Sequence, residues 1–268
     1  MFTRRKRQPV AGKQTNSHQG AAAPLKPFAR TQLLLGKEAM ERLEATRVIV
    51  FGLGGVGGNA VEALARAGIG HIDVVDNDDV SLTNVNRQLI ATRDVVGRAK
   101  TDVMAERIRQ INPECEVTAH QCFFLPSTSE SFDFSAYDYV LDAVDTLTAK
   151  LELVRCAKQA GTPVISCMGT ANKLDPSLLC VADISKTSIC PFARVMRKEA
   201  RKRGLGHFPV VFSTEPALTP IMDDETYEPI PEGSSRRSLP GSTPFVPPAA
   251  GILMASYVVR DLLGMLPR

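Results

Sequence analysis

The chain has 268 residues, 44% of them hydrophobic, and a formal net charge of +3. This is enough to bury a substantial core in one large α/β domain or two small ones, and the charge is so mild that any nucleic-acid affinity must come from local patches. Six cysteines without a C-x-x-C pair argue against a disulfide framework and a four-cysteine zinc site, and no apolar run reaches the roughly 18 residues of a membrane span.

The first 37 residues contain no Asp or Glu and include Arg4, Arg5, Lys6, Arg7, Lys13 and Lys26. Residues 1–25 are therefore expected to form a flexible basic arm. An organellar transit peptide is the alternative, with poor helical amphipathicity against it. A reducing, cytoplasmic location is expected for the chain.

From Phe28 onward a short helix is expected through "LGKEAMERL", followed by a strand over 48–51, a glycine turn, and a helix over 56–67 closed by Gly68 and Gly70. "HIDVVD" reads as a strand ending on Asp76, and "KTDVMAERIRQI" (100–111) as a helix that stops before Asn112-Pro113. "EVTAHQCFF" and "YDYVLDAVD" read as strands, the second ending on Asp145, and a helix over 147–160 leads to the strand "PVISCM". This alternation predicts a Rossmann-like α/β fold: a mostly parallel sheet with helices on both faces, and ligands beyond the carboxyl ends of the strands. After residue 180 the pattern becomes mixed, with the basic helix "RVMRKEARKRG", the strand "FPVVFSTE", a Pro/Ser/Gly-rich loop over 216–248 and an apolar helix "AAGILMASYVVRDLLGML", read as buried or as a dimer interface.

"FGLGGVGGNA" carries the chemistry. Its Gly52, Gly54 and Gly57 satisfy the dinucleotide fingerprint, with Gly55 between them, and the next helix offers free N–H groups and a partial positive charge to a phosphate. NAD, FAD and ATP proteins share that signal. The stretch that follows separates them, because "DNDDVSLTNVNRQL" places Asp76 and Asp78 before Asn84, Asn86, Arg87 and Gln88, and Lys100 opens the next helix. Two fixed cations beside a phosphate turn suit a triphosphate whose negative charge grows as pyrophosphate departs, whereas hydride transfer needs neither. Asp145 closes the other side of the crevice, where a carboxylate suits Mg²⁺ bridging phosphate oxygens.

G-x-G-G-x-G, then D-x-D-x-V-x-x-x-N-x-N-R-Q, a helix-opening Lys and a strand-ending D-A-V-D resemble the adenylyltransferases related to ubiquitin-activating enzymes. Within that superfamily the chain is most similar to the tRNA threonylcarbamoyladenosine dehydratases, over residues 27–268, through "FARTQLLLG", "AERIRQINPE", "NKLDP", "ARVMRKEARKRG", "VVFSTE" and "LPGSTPFVPPAAG". The resemblance implies a role for Asp76 on the ribose, for Asn84, Arg87, Gln88 and Lys100 on the phosphates, and for Asp145 with Mg²⁺ and the nucleotide. It also implies a homodimer in which Arg30 reaches the phosphates of the partner subunit's ATP. Residues 26–268 are expected to form a single adenylating domain, with a nucleotide half over about 46–170 and a tRNA and dimer half over about 171–268.

The implied substrate is a tRNA carrying N6-threonylcarbamoyladenosine, activated as a carboxyl-adenylate and then cyclised with loss of AMP. The chain departs from relatives that carry structural zinc, since it lacks the paired cysteines, and Val210 stands where some relatives have cysteine. A catalytic thiol is therefore not expected, with Cys190 the best candidate for one. Arg194, Arg197, Lys198, Arg201 and Lys202 of the basic helix, with Arg236 and Arg237 of the loop, are read as tRNA phosphate contacts, a solvated basic face being the bland alternative. Two rival activities are an activator of a sulfur-carrier or ubiquitin-like protein and an NAD-dependent oxidoreductase.

Overall fold

Val48 to Phe51 are apolar at every position, as a strand buried on both faces requires. In the computed structural model, which describes residues 27–221 and 240–266, this run is β1 (Arg47–Phe51), near the centre of a seven-stranded sheet. Val48 and Val50 join one hydrophobic core, Ile49 and Phe51 the other. Burying each such side chain contributes about 1.5–3 kcal/mol.

Chain order is α1 (Ala29–Leu35), α2 (Lys37–Glu44), β1, α3 (Gly57–Ala67), β2 (His71–Val75), α4 (Lys100–Ile111), β3 (Glu116–His120), β4 (Tyr139–Asp142), α5 (Leu147–Ala160) and β5 (Val164–Cys167). There follow β6 (Leu179–Asp183), α6 (Pro191–Lys202), β7 (Pro209–Ser213) and α7 (Val246–Leu262). The sheet order is β3-β2-β1-β4-β5-β7-β6, parallel except for β6, which pairs antiparallel with β7. β1, β2 and β3 build outward in one direction and β4, β5 and β7 in the other, so the order reverses between β1 and β4. A crevice opens at such a reversal.

One core packs α3, α4 and α7 against the sheet, and the other packs α5, α6 and the ring cluster of Phe51, Phe124, Phe132 and Phe134. The helices over 100–111 and 147–160 stand where the sequence places them. Four boundaries differ. The first helix is two, broken at Gly36, whose φ of +88° is not helical. β3 ends at His120, where Cys122 N–H turns back to the His120 carbonyl. β4 ends at Asp142 rather than Asp145, because the Val144 N–H donates to Asp142 Oδ1 and bends the chain. β6 is an addition, read only as the start of a mixed region; its residues are all half-buried, so no alternation marks it.

α7 begins at Val246, with Pro247 and Pro248 in its first turn, where a missing N–H costs nothing. It buries Ala250, Met254, Ala255 and Val258 in the core beside α3 and leaves Ile252 exposed. The basic arm, Arg236 and Arg237 lie outside the described residues.

Candidate nucleotide site

A cavity of about 560 Å³ opens at the carboxyl ends of the central strands. Its lining follows the strand order: Asp76, Asn77 and Asp78 beyond β2, Gly52, Gly54 and Gly55 beyond β1, Asp145 and Thr146 beyond β4, and Gly169 to Ala171 beyond β5. Adjacent strands lie about 4.8 Å apart, so this line is roughly 14 Å long from β2 to β5.

The glycines divide into two kinds. A Cβ on Gly57 would overlap the carbonyl oxygen of Gly52, which itself has φ +89° and abuts Ala143 at the end of β4. These two make the turn possible. At Gly54 the nearest atom to an added Cβ is Gln88 Nε2, 3.9 Å away. That glycine keeps the cavity wall bare, as close phosphate approach requires.

Asp76 fastens the turn to the loop after β2. Its Oδ2 accepts from the Leu53 N–H at 2.6 Å and its Oδ1 from the Asp78 N–H at 2.9 Å. A carboxylate has about four lone-pair sites, so acceptor capacity remains for ribose hydroxyls. Lys100, only 4% exposed, donates to Asp78 Oδ2 at 2.7 Å and lies 3.8 Å from Asp76 Oδ1. An isolated Asp79–Ala99 bridge and the Lys100 N–H to Asp78 carbonyl bond bring the start of α4 to this loop.

Arg87 sits over the glycine turn, its Cγ 3.5 Å from where a Gly55 side chain would begin. One guanidinium nitrogen donates to the Thr83 carbonyl at 3.0 Å and to Asn86 Oδ1 at 2.8 Å. Burial lowers its pKa, but a guanidinium still stays charged. Among the described residues no carboxylate lies within ion-pair reach of it. Gln88 is buried, with Oε1 without a hydrogen-bond partner among the described residues and Nε2 toward Gly54. Asn84 lines the cavity while its amide oxygen accepts from the Ser81 N–H at 3.2 Å, leaving the amide nitrogen as a donor. Asp145 is exposed in the turn before α5 and lines the same cavity.

Sequence reasoning missed three features. The first aspartate of D-A-V-D, Asp142, is fully buried and accepts from Lys150 Nζ at 3.0 Å and from the Ser166 hydroxyl, fixing the β4 end beneath the cavity. Two aspartates three apart at a strand end were the available signal. Phe123, 46% exposed, also lines the cavity, a few residues past the end of β3. Its signal, "CFF", was absorbed into a strand. The third is the wall beyond β5, described below.

Other residues lie elsewhere. Arg30 is exposed on α1 and does not line the cavity of its own chain. In α6, Arg194, Lys198 and Arg201 are exposed at helical spacing, whereas Arg197 donates to the Thr187 carbonyl at 2.7 Å and Lys202 pairs with Glu199 at 3.0 Å. Cys190 is buried, and its sulfur accepts from the Ala193 N–H at 3.5 Å as a cap of α6. Cys167 borders the cavity, but burial pushes its thiol up to about 12, so little thiolate exists near neutrality. Among the described residues no group of three or more His, Cys, Asp or Glu is arranged to hold a metal, and no helix is long and apolar enough to cross a membrane.

A doubly wound sheet, a phosphate turn at its switch point and two fixed cations across that turn define a nucleotide-binding α/β protein made for a polyanionic nucleotide. The ThiF family model matches residues 28–265, and the chain belongs to the ThiF family. It is 45% identical to the tRNA threonylcarbamoyladenosine dehydratase of Bacillus subtilis over 242 residues, 89% of this chain and 95% of that one. The Escherichia coli protein of the same name is 36% identical over 254 residues, 90% of this chain and 95% of that one. The solved structure of E. coli tRNA N6-threonylcarbamoyladenosine dehydratase in complex with ATP superposes with a TM-score of 0.79 at 35% identity, covering 89% of this chain and 94% of that chain.

Proposed function

We propose that the chain catalyses ATP-dependent dehydration of N6-threonylcarbamoyladenosine in tRNA. One observation carries the chemistry: Arg87, a half-buried cation without an anionic partner among the described residues, packs on the glycine turn and lines the same cavity as the buried Lys100. A desolvated cation so placed is a site for phosphate. The named relatives and the E. coli complex with ATP support the same reading.

The nucleotide runs along the strand order, its base by Phe123, its ribose at Asp76, and its phosphates at Gly54, Gly55, Asn84, Arg87, Gln88 and Lys100. The threonyl carboxylate attacks the α-phosphorus, and pyrophosphate leaves. The ureido group of the same molecule then attacks the activated carbonyl, a ring closes and AMP departs, with net loss of water. Intramolecular attack has a large effective-molarity advantage, so no covalent enzyme intermediate is needed. Arg87 and Lys100 stabilise the growing phosphate charge. One exposed carboxylate, Asp145, is the kind of donor with which Mg²⁺ binds alongside substrate phosphates, and the ion would supply charge neutralisation there.

The working unit is a homodimer. Leu33 and Leu34 on α1 are 88% and 84% exposed, and beside them a groove is lined by Thr31, Ala63 and Ile252. Exposed apolar surface of this kind marks an interface, and Arg30, on the same helix, would reach the partner subunit's ATP in that dimer. Residues 26–268 act as one adenylating domain, nucleotide half first. Arg194, Lys198 and Arg201 form one exposed stripe of α6, whose first turn brings Phe192 into the cavity, and these cations meet tRNA phosphates. Arg197 and Lys202, although bonded within the chain, and Arg236 and Arg237, which lie outside the described residues, are the remaining residues proposed to contact tRNA. Six free cysteines suit a reducing cytoplasm. Release of AMP measured with ATP, Mg²⁺ and either modified or unmodified tRNA tests the proposal. Turnover should require the modified tRNA, and equal turnover without it would count against it.

A further inference from the structure

Three segments unused by the nucleotide chemistry are joined at one side of the cavity: residues 169–175 after β5 and 240–243 before α7, which contribute lining residues, and 214–218 after β7, hydrogen-bonded to the first. The Asn172 N–H donates to the Gly241 carbonyl and the Leu218 N–H to the Asn172 carbonyl, both at 2.8 Å. The Thr243 hydroxyl donates to the Lys173 carbonyl at 3.4 Å. At the centre, the buried Glu215 carboxylate accepts from the Leu174 N–H at 2.9 Å and the Asp175 N–H at 3.0 Å. The buried Lys173 ammonium donates to the Glu215 main-chain carbonyl.

Asn172 is held at φ +59°, and its Oδ1 is buried without a hydrogen-bond partner among the described residues. Asn adopts the left-handed region more readily than other non-glycine residues, so the feature that needs an explanation is its buried oxygen. Asn86 Nδ2 donates to the Ser242 carbonyl at 3.0 Å, which ties this wall to the neighbour of Arg87. The part of the wall that borders the cavity is Gly169, Thr170, Ala171, Pro240 and Ser242, without a formal charge.

Along the strand order the cavity runs from Asp76, Asp78 and their partner Lys100 beyond β2, past the glycine turn with Arg87 and the Asp145 carboxylate, to a neutral, hydroxyl-bearing end beyond β5. We propose that the neutral end is the acceptor subsite, which takes the uncharged body of the carboxylate-bearing nucleoside and presents its carboxylate to Arg87 and Lys100. Glu215 and Lys173 are its positioning residues, holding 169–175 in place without touching the nucleotide. The proposal rests on the adenylating reading of the cavity.

The test uses the full chain and separates the two ligands: ATP affinity by equilibrium binding, and KM and kcat for AMP release with modified tRNA. Glu215→Gln sets an amide donor against a backbone N–H, and Lys173→Met removes the donor to the Glu215 carbonyl. Each should raise the KM for modified tRNA about tenfold while ATP affinity stays within about twofold, and Glu215→Asp should recover part of the loss. Thr170→Val, which leaves the clamp intact, should also raise that KM with ATP affinity unchanged, and it decides the matter if the clamp variants lose their cooperative thermal transition. An unchanged KM in Thr170→Val, or ATP affinity falling in step with the KM in folded clamp variants, overturns the subsite. Wild-type chain inactive on modified tRNA overturns the adenylating reading and the subsite together, whereas active wild type with unchanged variants overturns the subsite alone.

Discussion

Lys100 Nζ lies 2.7 Å from Asp78 Oδ2 and 3.8 Å from Asp76 Oδ1, with 4% of the lysine exposed. A buried ammonium must have its charge compensated, and this one is compensated by carboxylates of the loop that binds the ribose in the proposed site. Lys100→Met should lower AMP formation by roughly 10²–10³-fold, the loss typical when a donor to developing charge is removed. Asp78→Asn, which leaves the ammonium but loosens its anchor, should cost about tenfold by the same measure. Steady-state AMP release checks both, and near wild-type rates in Lys100→Met would remove this lysine from the chemistry.

The two kinds of glycine should separate in a thermal melt. Gly57→Ala drives a methyl into the Gly52 carbonyl and should destabilise the fold by roughly 3 kcal/mol. Gly54→Ala meets only Gln88 Nε2, at an ordinary contact distance, so the melt should stay within about 0.5 kcal/mol of wild type while nucleotide affinity falls. Equal destabilisation by both would contradict the assignment of Gly54 to the ligand.

Arg30 stands on the surface helix that carries the exposed Leu33 and Leu34, away from its own cavity. If it works on the partner's nucleotide, Arg30→Ala and Lys100→Ala chains should each be inactive alone. After subunit exchange about a quarter of the wild-type sites should be whole again, since half the dimers are mixed and each has one complete site. No recovery in a mixture shown to contain heterodimers would contradict a site shared between subunits.

On α6 Arg194, Lys198 and Arg201 are exposed without an ion pair among the described residues, while Arg197 is tied to Thr187 and the exposed Lys202 to Glu199. Each phosphate contact adds slightly under one unit to the slope of log K against log salt. Replacing Arg194, Lys198 and Arg201 with Gln should therefore flatten the tRNA-binding slope by roughly two to three units without changing ATP affinity. An unchanged slope would make α6 a solvated basic face.

The parallel core of the fold was legible because each βα unit has its own local signal: a β-branched run, a turn, and a helix bounded by Asn-Pro or Gly. β6 escaped because its five residues are half-buried on an antiparallel edge and alternate in neither pattern. Within the proposed site, Gly52, Asp76, Arg87 and Lys100 were legible from spacing, since they lie within one stretch of about fifty residues. Asp142 was not distinguishable from Asp145, because only the fold shows which of them faces Lys150 and which faces the cavity. Glu215 and Lys173 were beyond reach for a different reason. They meet across 42 residues through backbone groups, which leave no trace in side-chain type.

The most direct measurement is nucleoside mass spectrometry of tRNA carrying N6-threonylcarbamoyladenosine after incubation with the chain, ATP and Mg²⁺. The account predicts conversion of that nucleoside to a product lighter by one water, with AMP and pyrophosphate formed in equal amounts, and no conversion without ATP or with Arg87→Ala. An unaltered nucleoside, in a preparation shown to bind both ATP and the tRNA, would contradict it.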